Sequence, residues 1–326
     1  MQTNVRAWFA EMWNHVRENP ARAPLYAVYT WYLMLWFGIT SRLPLGTNVY
    51  DRQWDVLIVL DACRVDTLRE VADEYEFIND IDEMWSIGSH SAEWLAQTFT
   101  EGRRTDVERT QYITGNPHAS RVLEQGMTPP MNNTPVIDFS KWNSVDADAF
   151  EALDMVWEDQ LDETYRVTLP DVMTDHAIAA GRTDDPERLI LHYMQPHLPY
   201  IGQAYREGRD PTDVEIDGYE TLESGECERE TVSELYKETL RLVLDEVAVL
   251  LENMDAERVA ITADHGEAFG EMHAYGHPEG FPHPIVKKVP WVETSARDLG
   301  TRETELEEGR SVNVDIEDHL RDLGYR

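Results

Sequence analysis

Residues 258–278 have the sequence RVAITADHGEAFGEMHAYGHP, and this stretch decides the fold. The apolar run Val259-Ala260-Ile261 predicts a buried strand, which stops at Asp264-His265-Gly266. In open α/β sheets, the loops beyond the carboxyl ends of the strands form the ligand crevice. A carboxylate and an imidazole delivered there are suitable ligands for a divalent ion. The alternative is a solvated acidic loop, which includes further polar residues at Glu267, Glu271, His273 and His277.

A second stretch has the same design. The run from Asp55 to Leu60 is continuously apolar after its first residue, as is typical of a central parallel strand, and it ends at Asp61. Two buried strands that each end in a carboxylate favour one shared site. Further patterns predict strands at 111–114, 136–139 and 189–194, an edge strand just before 290–292, helices at 67–75, 170–180, 232–254 and 315–323, and a helix or surface loop within 146–165. This alternation predicts an α/β fold.

Ser91 lies where a helix begins, after the Gly- and Ser-containing residues 86–90 and before an apolar helical pattern. Its position predicts an N-cap, and most serines at such positions only cap. The functional alternative is a hydroxyl held at the positive end of a helix and activated by a metal ion. His197 lies between Pro196 and Pro199, so its backbone is stiff. A stiff backbone suits a residue that binds a ligand or an anion, and it equally suits a residue that only packs where the chain turns.

Composition restricts the functional class. The chain has 326 residues, 63 acidic and 28 basic, with a formal net charge of −35. The acidic residues are scattered along the chain, so the negative charge is expected to cover the whole surface and not one patch. Because salt screens the repulsion between such charges, this composition predicts a protein of a high-salt cytoplasm. Nucleic-acid binding needs basic surface, so this charge argues against it. The two cysteines, Cys63 and Cys227, do not make a disulfide framework.

The first fifty residues differ from the rest. Residues 4–18 show an amphipathic helical pattern, and residues 23–41 are nineteen residues without a charge, rich in Tyr and Trp. Aromatic residues of this kind prefer the membrane interface, so the segment is expected to span a bilayer, to lie in the interface, or to pack on the domain or on a second subunit. We see no cleavable signal peptide. The predicted organisation is an N-terminal aromatic segment (1–50) and a catalytic domain (51–326) with an exposed insertion (202–230).

These motifs together resemble the alkaline phosphatase/sulfatase superfamily, with the greatest similarity to archaeal (haloarchaeal) sulfatase-like proteins. The resemblance spans residues 55–278 and rests on four motifs in the family's order: the strand ending in Asp61, the Gly- and Ser-rich helix start, Pro196-His197-Leu198-Pro199-Tyr200, and Asp264-His265-Gly266-Glu267 with Gly270-Glu271 and Gly276-His277. It implies a mostly parallel sheet between helices and metal-assisted attack on a phosphate or sulfate ester.

The resemblance also implies roles for individual residues. The metal ligands would be Asp61, Ser91, Asp264 and His265, holding one divalent ion (Zn²⁺, Mn²⁺, Mg²⁺ or Ca²⁺), with a second ion as an option. Ser91 would be the nucleophile, with Ser89 and Ser86 as alternatives. His197 and His277 would contact the ester oxyanion or a second metal, and Arg64 would support the anion. His192 or a water would protonate the leaving group, and Glu267, Glu271 and His273 would support the ligands.

The chain differs from the family's sequence pattern in two respects. The chain lacks the Cys/Ser-x-Pro-x-Arg motif of sulfatases, so formylglycine chemistry is not expected, and Asp61 is not paired with a second Asp. The expected substrates are small-molecule, lipid-linked or glycan-linked phosphate or sulfate esters, met in the cytoplasm or at a membrane surface. The competing hypothesis is a non-catalytic, sulfatase-like binding protein that has lost its nucleophile.

Overall fold

The computed structural model of the protein describes residues 2–18, 20, 23–184, 186–304, 306, 316, 320 and 323. The helices are α1 (Val5–Glu18), α2 (Ala23–Thr40), α3 (Val65–Val71), α4 (Ser91–Thr98), α5 (Arg104–Val107), α6 (Pro170–Thr183), α7 (Gly202–Glu207), α8 (Asp213–Ile216), α9 (Gly218–Ser224), α10 (Arg229–Leu251) and α11 (Pro284–Lys287). The strands are β1 (Gln2–Thr3), β2 (Val56–Leu60), β3 (Asp82–Trp85), β4 (Thr110–Thr114), β5 (Ile137–Asp138), β6 (Ala152–Met155), β7 (Arg188–Tyr193), β8 (Ala256–Thr262), β9 (Ala268–Phe269), β10 (Tyr275–Gly276) and β11 (Lys288–Ala296).

The core is a seven-stranded sheet, counted over the described residues, in the order β3-β11-β8-β2-β7-β4-β6. The five strands from β8 to β6 run parallel. Strand β11 is antiparallel both to β8 and to β3, so β3 runs in the same direction as the five. Strand β2 is buried along its whole length, because parallel strands are covered on both faces. In its register, Val56 pairs with Leu189 on one side and with Val259 on the other. This register aligns the carboxyl ends of β8, β2 and β7 at one edge.

Helices cover both faces of the sheet. Neighbouring residues on a strand point to opposite faces, and His192 and Tyr193 on β7 show what lies on each side. The His192 ring contacts Trp94 of α4, with 5.6 Å between ring centroids. The Tyr193 hydroxyl bonds Thr174 of α6 at 2.8 Å. The predicted fold class, a mostly parallel sheet with helices on both faces, is therefore confirmed.

The edges of the sheet differ from the sequence predictions. Residues 146–165 were predicted to form a helix or surface loop but contain β6, an edge strand beside β4. The strand near Pro290 was predicted at an edge, yet β11 is interior because β3 covers it. Strands β3 and β6 were not predicted; each has four residues and is mostly exposed or half-buried, so neither has the long apolar run that marks a central strand. Residues 136–139 supply β5, which pairs with β1 outside this sheet. The predicted helix 315–323 lies almost wholly outside the described residues.

Helix α2 packs on the domain through one side. Leu33 and Phe37 are buried, and the Gln97 side chain donates to the Thr40 carbonyl at 2.8 Å. Among the described residues, none of the helices combines the length and the hydrophobicity that crossing a membrane requires. Residues 202–230 contain α7, α8 and α9, and Ala204 and Glu215 within them are buried.

Candidate active site

Three side chains meet at the carboxyl ends of adjacent strands. Asp61 follows β2, Asp264 follows β8, and His192 lies near the end of β7. One ligand atom from each lies within 4.8 Å of the other two. His265 Nε2 lies 3.6 Å from Asp61 Oδ1 and 3.4 Å from Asp264 Oδ2. We call these residues, together with Ser91, the strand-end cluster; every member is fully buried.

Ser91 enters the strand-end cluster from α4. Its hydroxyl oxygen lies 3.3 Å from Asp61 Oδ2 and 3.3 Å from His265 Nε2. The prediction that Ser91 is the N-cap is wrong: His90 is the N-cap, its Nδ1 accepts from the Ala92 amide at 3.2 Å, and Ser91 is the first helical residue. A residue there turns its side chain back past the helix start, which directs it at the strand ends.

The two alternative serines have other contacts. The Ser89 hydroxyl donates to Glu93 Oε2 at 2.7 Å and accepts from the Gly280 amide at 2.9 Å. The Ser86 hydroxyl donates to the backbone carbonyl of Asp264 and accepts from the Gly88 amide at 3.1 Å. Of the three serines, the structure therefore brings Ser91 to the carboxylates.

The backbone around Asp61 holds the cluster in place. Asp264 Oδ1 accepts from the Ala62 amide at 3.1 Å and from the His265 amide at 2.9 Å, which leaves Oδ2 facing the cluster. Ala62 has a φ of 59°, a left-handed conformation that is unfavourable for alanine. Tyr236 of α10 secures this turn, because its hydroxyl donates to the Ala62 carbonyl at 2.9 Å and accepts from the Arg64 amide at 2.8 Å. Strained backbone of this kind concentrates at functional sites.

The donor atoms of the strand-end cluster fit a divalent ion. Donors about 2.1 Å from a tetrahedral ion lie about 3.4 Å from each other. The contacts among Ser91, Asp61, Asp264 and His265 measure 3.3, 3.3, 3.6 and 3.4 Å. The fifth side chain, His192, has an Nε2 without a hydrogen-bond partner in the described part of the chain, 3.7 Å from Asp61 Oδ2 and 3.8 Å from Asp264 Oδ2.

The electrostatics of the cluster also call for a cation. Burial, followed by the charge of Asp264, raises the pKa of Asp61. Burial opposes ionisation of Asp264, but His265, His192 and the Ala62 amide lower its pKa overall. Burial lowers the pKa of both His192 and His265 to about 4, so both imidazoles are neutral near pH 7. Two buried carboxylates beside neutral imidazoles are costly without a compensating positive charge.

The tautomer of His265 suits ligation. Its Nδ1 lies 3.0 Å from the Gly266 carbonyl, which can only accept, so this nitrogen carries the proton. The lone pair of Nε2 then faces Asp61, Asp264 and Ser91. A backbone carbonyl that fixes a ligating histidine in this way is the usual support around a metal.

A second group, which we call the loop cluster, adjoins the first. His197 lies in the loop after β7, and Glu267 and His277 lie in the loops after β8; one ligand atom from each lies within 4.8 Å of the others. The His277 ring lies 4.4 Å from that of His265 and 4.9 Å from that of His197, measured between centroids. Burial lowers the pKa of both His197 and His277 to about 3.

Hydrogen bonds orient the loop cluster. His197 Nδ1 lies 2.9 Å from the Leu198 carbonyl, so Nδ1 carries the proton and Nε2 the lone pair. His277 Nδ1 lies 3.3 Å from Glu267 Oε1, and the Tyr219 hydroxyl of α9 donates to Glu267 Oε2. A neutral His197 with its lone pair on Nε2 favours a metal-ligand role over hydrogen-bond donation to an oxyanion.

Arg64 lies beside the loop cluster and braces it. Its Nε and Nη2 donate to Asp66 at 2.9 and 2.6 Å, and its Nη1 donates to the Glu267 carbonyl at 2.9 Å and to Glu271 at 3.1 Å. All three nitrogens are thus engaged with the protein. Glu271 supports this network, while His273 is exposed.

A cavity of about 330 Å³ adjoins the loop cluster. Its lining includes His277, Leu198, Tyr219, Tyr29 and His90. Through His277, this cavity reaches the loop cluster.

The structure brings together the predicted residues Asp61, Ser91, Asp264, His265, His197 and His277. It adds Asn116, whose side-chain amide donates to Asp61 Oδ2 at 2.6 Å, and it places Glu267 among the candidate ligands. Asn116 follows β4 in Gly115-Asn116-Pro117, so a polar residue directly after a buried strand was the available signal.

Comparisons with known proteins give remote likenesses. No family model matches the chain, and no curated protein matches its sequence. The soluble domain of lipooligosaccharide phosphoethanolamine transferase A from Neisseria meningitidis is similar at 18% identity, covering 82% of this chain and 81% of that one, with a TM-score of 0.46. Lipoteichoic acid synthase LtaP from Listeria monocytogenes is similar at 12% identity, covering 76% and 66%, with a TM-score of 0.42.

A third similar structure is BT4656 in complex with its substrate D-glucosamine-2-N,6-O-disulfate, at 12% identity, covering 84% of this chain and 77% of that one, with a TM-score of 0.39. At these scores the likenesses do not bear on the activity of this chain. The case for an active site therefore rests on the two clusters themselves.

Proposed function

We propose that the protein is a metal-dependent hydrolase or transferase that acts on phosphate or sulfate esters through Ser91. One observation carries the proposal: the Ser91 hydroxyl lies 3.3 Å from both Asp61 Oδ2 and His265 Nε2, within a buried donor set of the right spacing for a divalent ion. Asp61, Ser91, Asp264 and His265 would hold the ion. His197, Glu267 and His277 would hold a second one or contact the ester.

The metal, when bound, lowers the pKa of a hydroxyl and neutralises the ester oxygens. The protein's own residues then place the groups that react. Asn116 and the Ala62 amide orient Asp61 and Asp264, and the start of α4 directs its partial positive charge at Ser91. Because the site is buried, these dipoles act with little competition from water.

Ser91 Oγ attacks the phosphorus or sulfur, the bond to the leaving oxygen breaks, and the proton that Ser91 gives up passes by way of water to the departing alkoxide. Water then releases the group from Ser91, which is hydrolysis, or an acceptor hydroxyl takes it, which is transfer. His192 lies in the strand-end cluster with both carboxylates near its Nε2, so we assign it to supporting the cluster and not to protonating the leaving group.

The position of Ser91 supports this proposal over the non-catalytic alternative, in which the nucleophile has been lost. We further propose that residues 51–326 form the catalytic part and that residues 1–50 are a helical segment attached to it. Within residues 202–230, Tyr219 reaches Glu267, so we propose that this insertion helps to complete the site.

The test compares turnover of 4-nitrophenyl phosphate, bis(4-nitrophenyl) phosphate and 4-nitrophenyl sulfate, each with added Zn²⁺, Mn²⁺, Mg²⁺ or Ca²⁺. Ser91→Ala should lower turnover of the accepted substrate by at least about a thousandfold, as expected for a lost nucleophile. Ser89→Ala is the matched control, since Ser89 lies two residues away and is equally buried. It should retain most of the activity.

Undiminished turnover in Ser91→Ala would remove Ser91 as the nucleophile. A Ser91→Ala protein that still binds the metal but has lost turnover would separate catalysis from metal holding. If no ester is turned over with any of the four ions, the non-catalytic alternative stands.

A further inference from the structure

The outward face of α2 is apolar along its length. It is formed by a row of side chains that we call the outer stripe: Leu25 (69% exposed), Val28 (68%), Trp31 (49%), Leu35 (58%) and Ile39 (58%). Their spacing of three or four residues places them on one side of the helix. The opposite side is buried through Leu33, Met34 and Phe37. A helix that is apolar on all sides is normally covered on all sides.

The charge of the surrounding segment indicates what covers the outer stripe. Residues 1–50 contain four arginines and two glutamates, whereas residues 51–326 contain 24 basic and 61 acidic residues. The segment that bears the stripe is thus the part of the chain with a positive balance, and α2 itself has no charged residue. An anionic lipid surface would attract this segment and repel the body. A second copy would instead bring two strongly acidic bodies together.

The side-chain types agree with a lipid interface. Trp31 lies in the outer stripe, and tryptophan favours the boundary between acyl chains and headgroups. The hydroxyls of Tyr29 and Tyr32 are turned to the protein, where they donate to the carbonyls of Glu279 and Gly280 at 2.7 and 2.5 Å. Because both hydroxyls bond to the protein, they add no polar group to the outer stripe.

The same helix forms a wall of the cavity beside the loop cluster. Tyr29 and Glu279 both line that cavity. Gly280 packs so closely on α2 that an added Cβ would lie 2.9 Å from Trp36 and 3.0 Å from Leu33. A surface that contacts the outer stripe is therefore separated from the cavity beside the loop cluster by the width of α2.

We propose that the outer stripe docks in the plane of an anionic phospholipid membrane, and that the cavity receives esters presented at that surface. The second half rests on the function proposed above, whereas the docking does not depend on it. The stripe inserts its apolar side chains among the acyl chains, and the arginines of the N-terminal segment add attraction to the headgroups.

The test is co-sedimentation of the full chain with vesicles of phosphatidylcholine alone and of phosphatidylcholine with one-third phosphatidylglycerol, at low and high salt. Leu35→Glu should weaken binding by about tenfold or more, since it places a charge where an apolar side chain would lie among the acyl chains. Leu299→Glu is the matched control, because Leu299 is also 58% exposed but lies on the body; it should bind as the wild type does.

Weaker binding of Leu35→Glu than of Leu299→Glu, with anionic vesicles preferred at low salt, would support the proposal. Absence of vesicle binding by the wild type, or equal binding by the two variants, would overturn it. A dimer in light scattering that Leu35→Glu dissociates would assign the outer stripe to a second copy instead. Turnover of 4-nitrophenyl phosphate, a soluble probe, should be the same in Leu35→Glu and the wild type, so a failure of the proposed function is recognised separately.

Discussion

The two clusters of the candidate active site differ in how the chain builds them. The strand-end cluster has both of its carboxylates at the ends of β2 and β8, and its spacing follows from the sheet register. The loop cluster lies wholly on connecting segments, and its carboxylate, Glu267, is fixed by Tyr219 from a distant helix. The first is thus set by the core of the fold, while the second depends on contacts between loops.

This difference predicts different affinities for metal. Two carboxylates, a neutral imidazole and a hydroxyl at tetrahedral spacing form a strong donor set. Two imidazoles and one carboxylate on loops form a weaker and more adjustable one. We therefore expect changes in the strand-end cluster to abolish function and changes in the loop cluster to reduce it by degrees.

The largest effect is expected from Asp264→Asn. Asparagine can still accept from the amides of Ala62 and His265, so the fold should persist, but the charge that faces the cluster is lost. Bound metal should fall below measurable stoichiometry and turnover by at least about a thousandfold. Elemental analysis of purified protein and turnover of the best ester measure both quantities.

Asp66→Asn is the control for this variant, because Asp66 is a half-exposed carboxylate that binds Arg64 and lies outside both clusters. It should keep its metal. Asp264→Asn with full metal content would mean that the strand-end cluster is not the metal site.

A graded effect is expected from His277→Gln. Removing one imidazole from the loop cluster should lower turnover by about 10- to 100-fold, the range found when groups around a metal are altered. The strand-end metal should remain, and metal titration should show the loss of a weaker site if a second ion binds. His273→Gln provides the comparison in the same loop, since His273 is exposed; an equal loss in both variants would contradict the assignment of His277.

The same contrast explains what the sequence could reveal. Asp61 and Asp264 were predictable because each follows an apolar run, and parallel strands bring their carboxyl ends to one edge. Ser91 was the preferred nucleophile, with Ser89 and Ser86 as alternatives, and the contacts that occupy Ser86 and Ser89 support that preference. A sequence pattern shows where a helix begins but not which hydroxyl faces a strand end.

The rest of the site depends on contacts that are distant in sequence. Glu267 is a member of the loop cluster because Tyr219, 48 residues earlier, fixes one of its oxygens. His192 joins the strand-end cluster because the pleat of β7 turns it to that face. Strands β3 and β6 were missed because they are short, half-exposed edge strands without an apolar run. None of these features leaves a local pattern.

A smaller effect is expected on the pH dependence of stability in chelator-treated protein. Burial lowers the pKa of His197 and His277 to about 3, whereas an unfolded chain has histidines near 6.5. At pH 7 neither state carries these protons, and at pH 5 the unfolded state alone takes them up. Stability should therefore fall as pH drops from 7 to 5, by about 2 kcal/mol for each such histidine.

Urea unfolding at both pH values, at fixed salt, measures this change. Burial raises the pKa of Asp61 and Glu267, and these carboxyls act in the opposite direction. The informative quantity is thus the difference between the wild type and a His197→Gln, His277→Gln double variant. The double variant should lose less stability on acidification, and an unchanged loss would show that these histidines are not held neutral.

The smallest effect is expected from Tyr219→Phe, which tests whether the loop cluster relies on the 202–230 segment. Its hydroxyl donates to Glu267 Oε2, and this hydrogen bond lowers the pKa of Glu267 against the effect of burial. Without the donor, Glu267 should hold its proton to higher pH and bind a cation less well. We expect turnover to fall by about tenfold, the low end of the cost of one hydrogen bond to a charged group, and to fall more at pH 6 than at pH 8. Tyr275→Phe, in the lining of the same cavity, should have little effect; equal losses at both pH values would mean that Tyr219 acts through packing and not through the charge of Glu267.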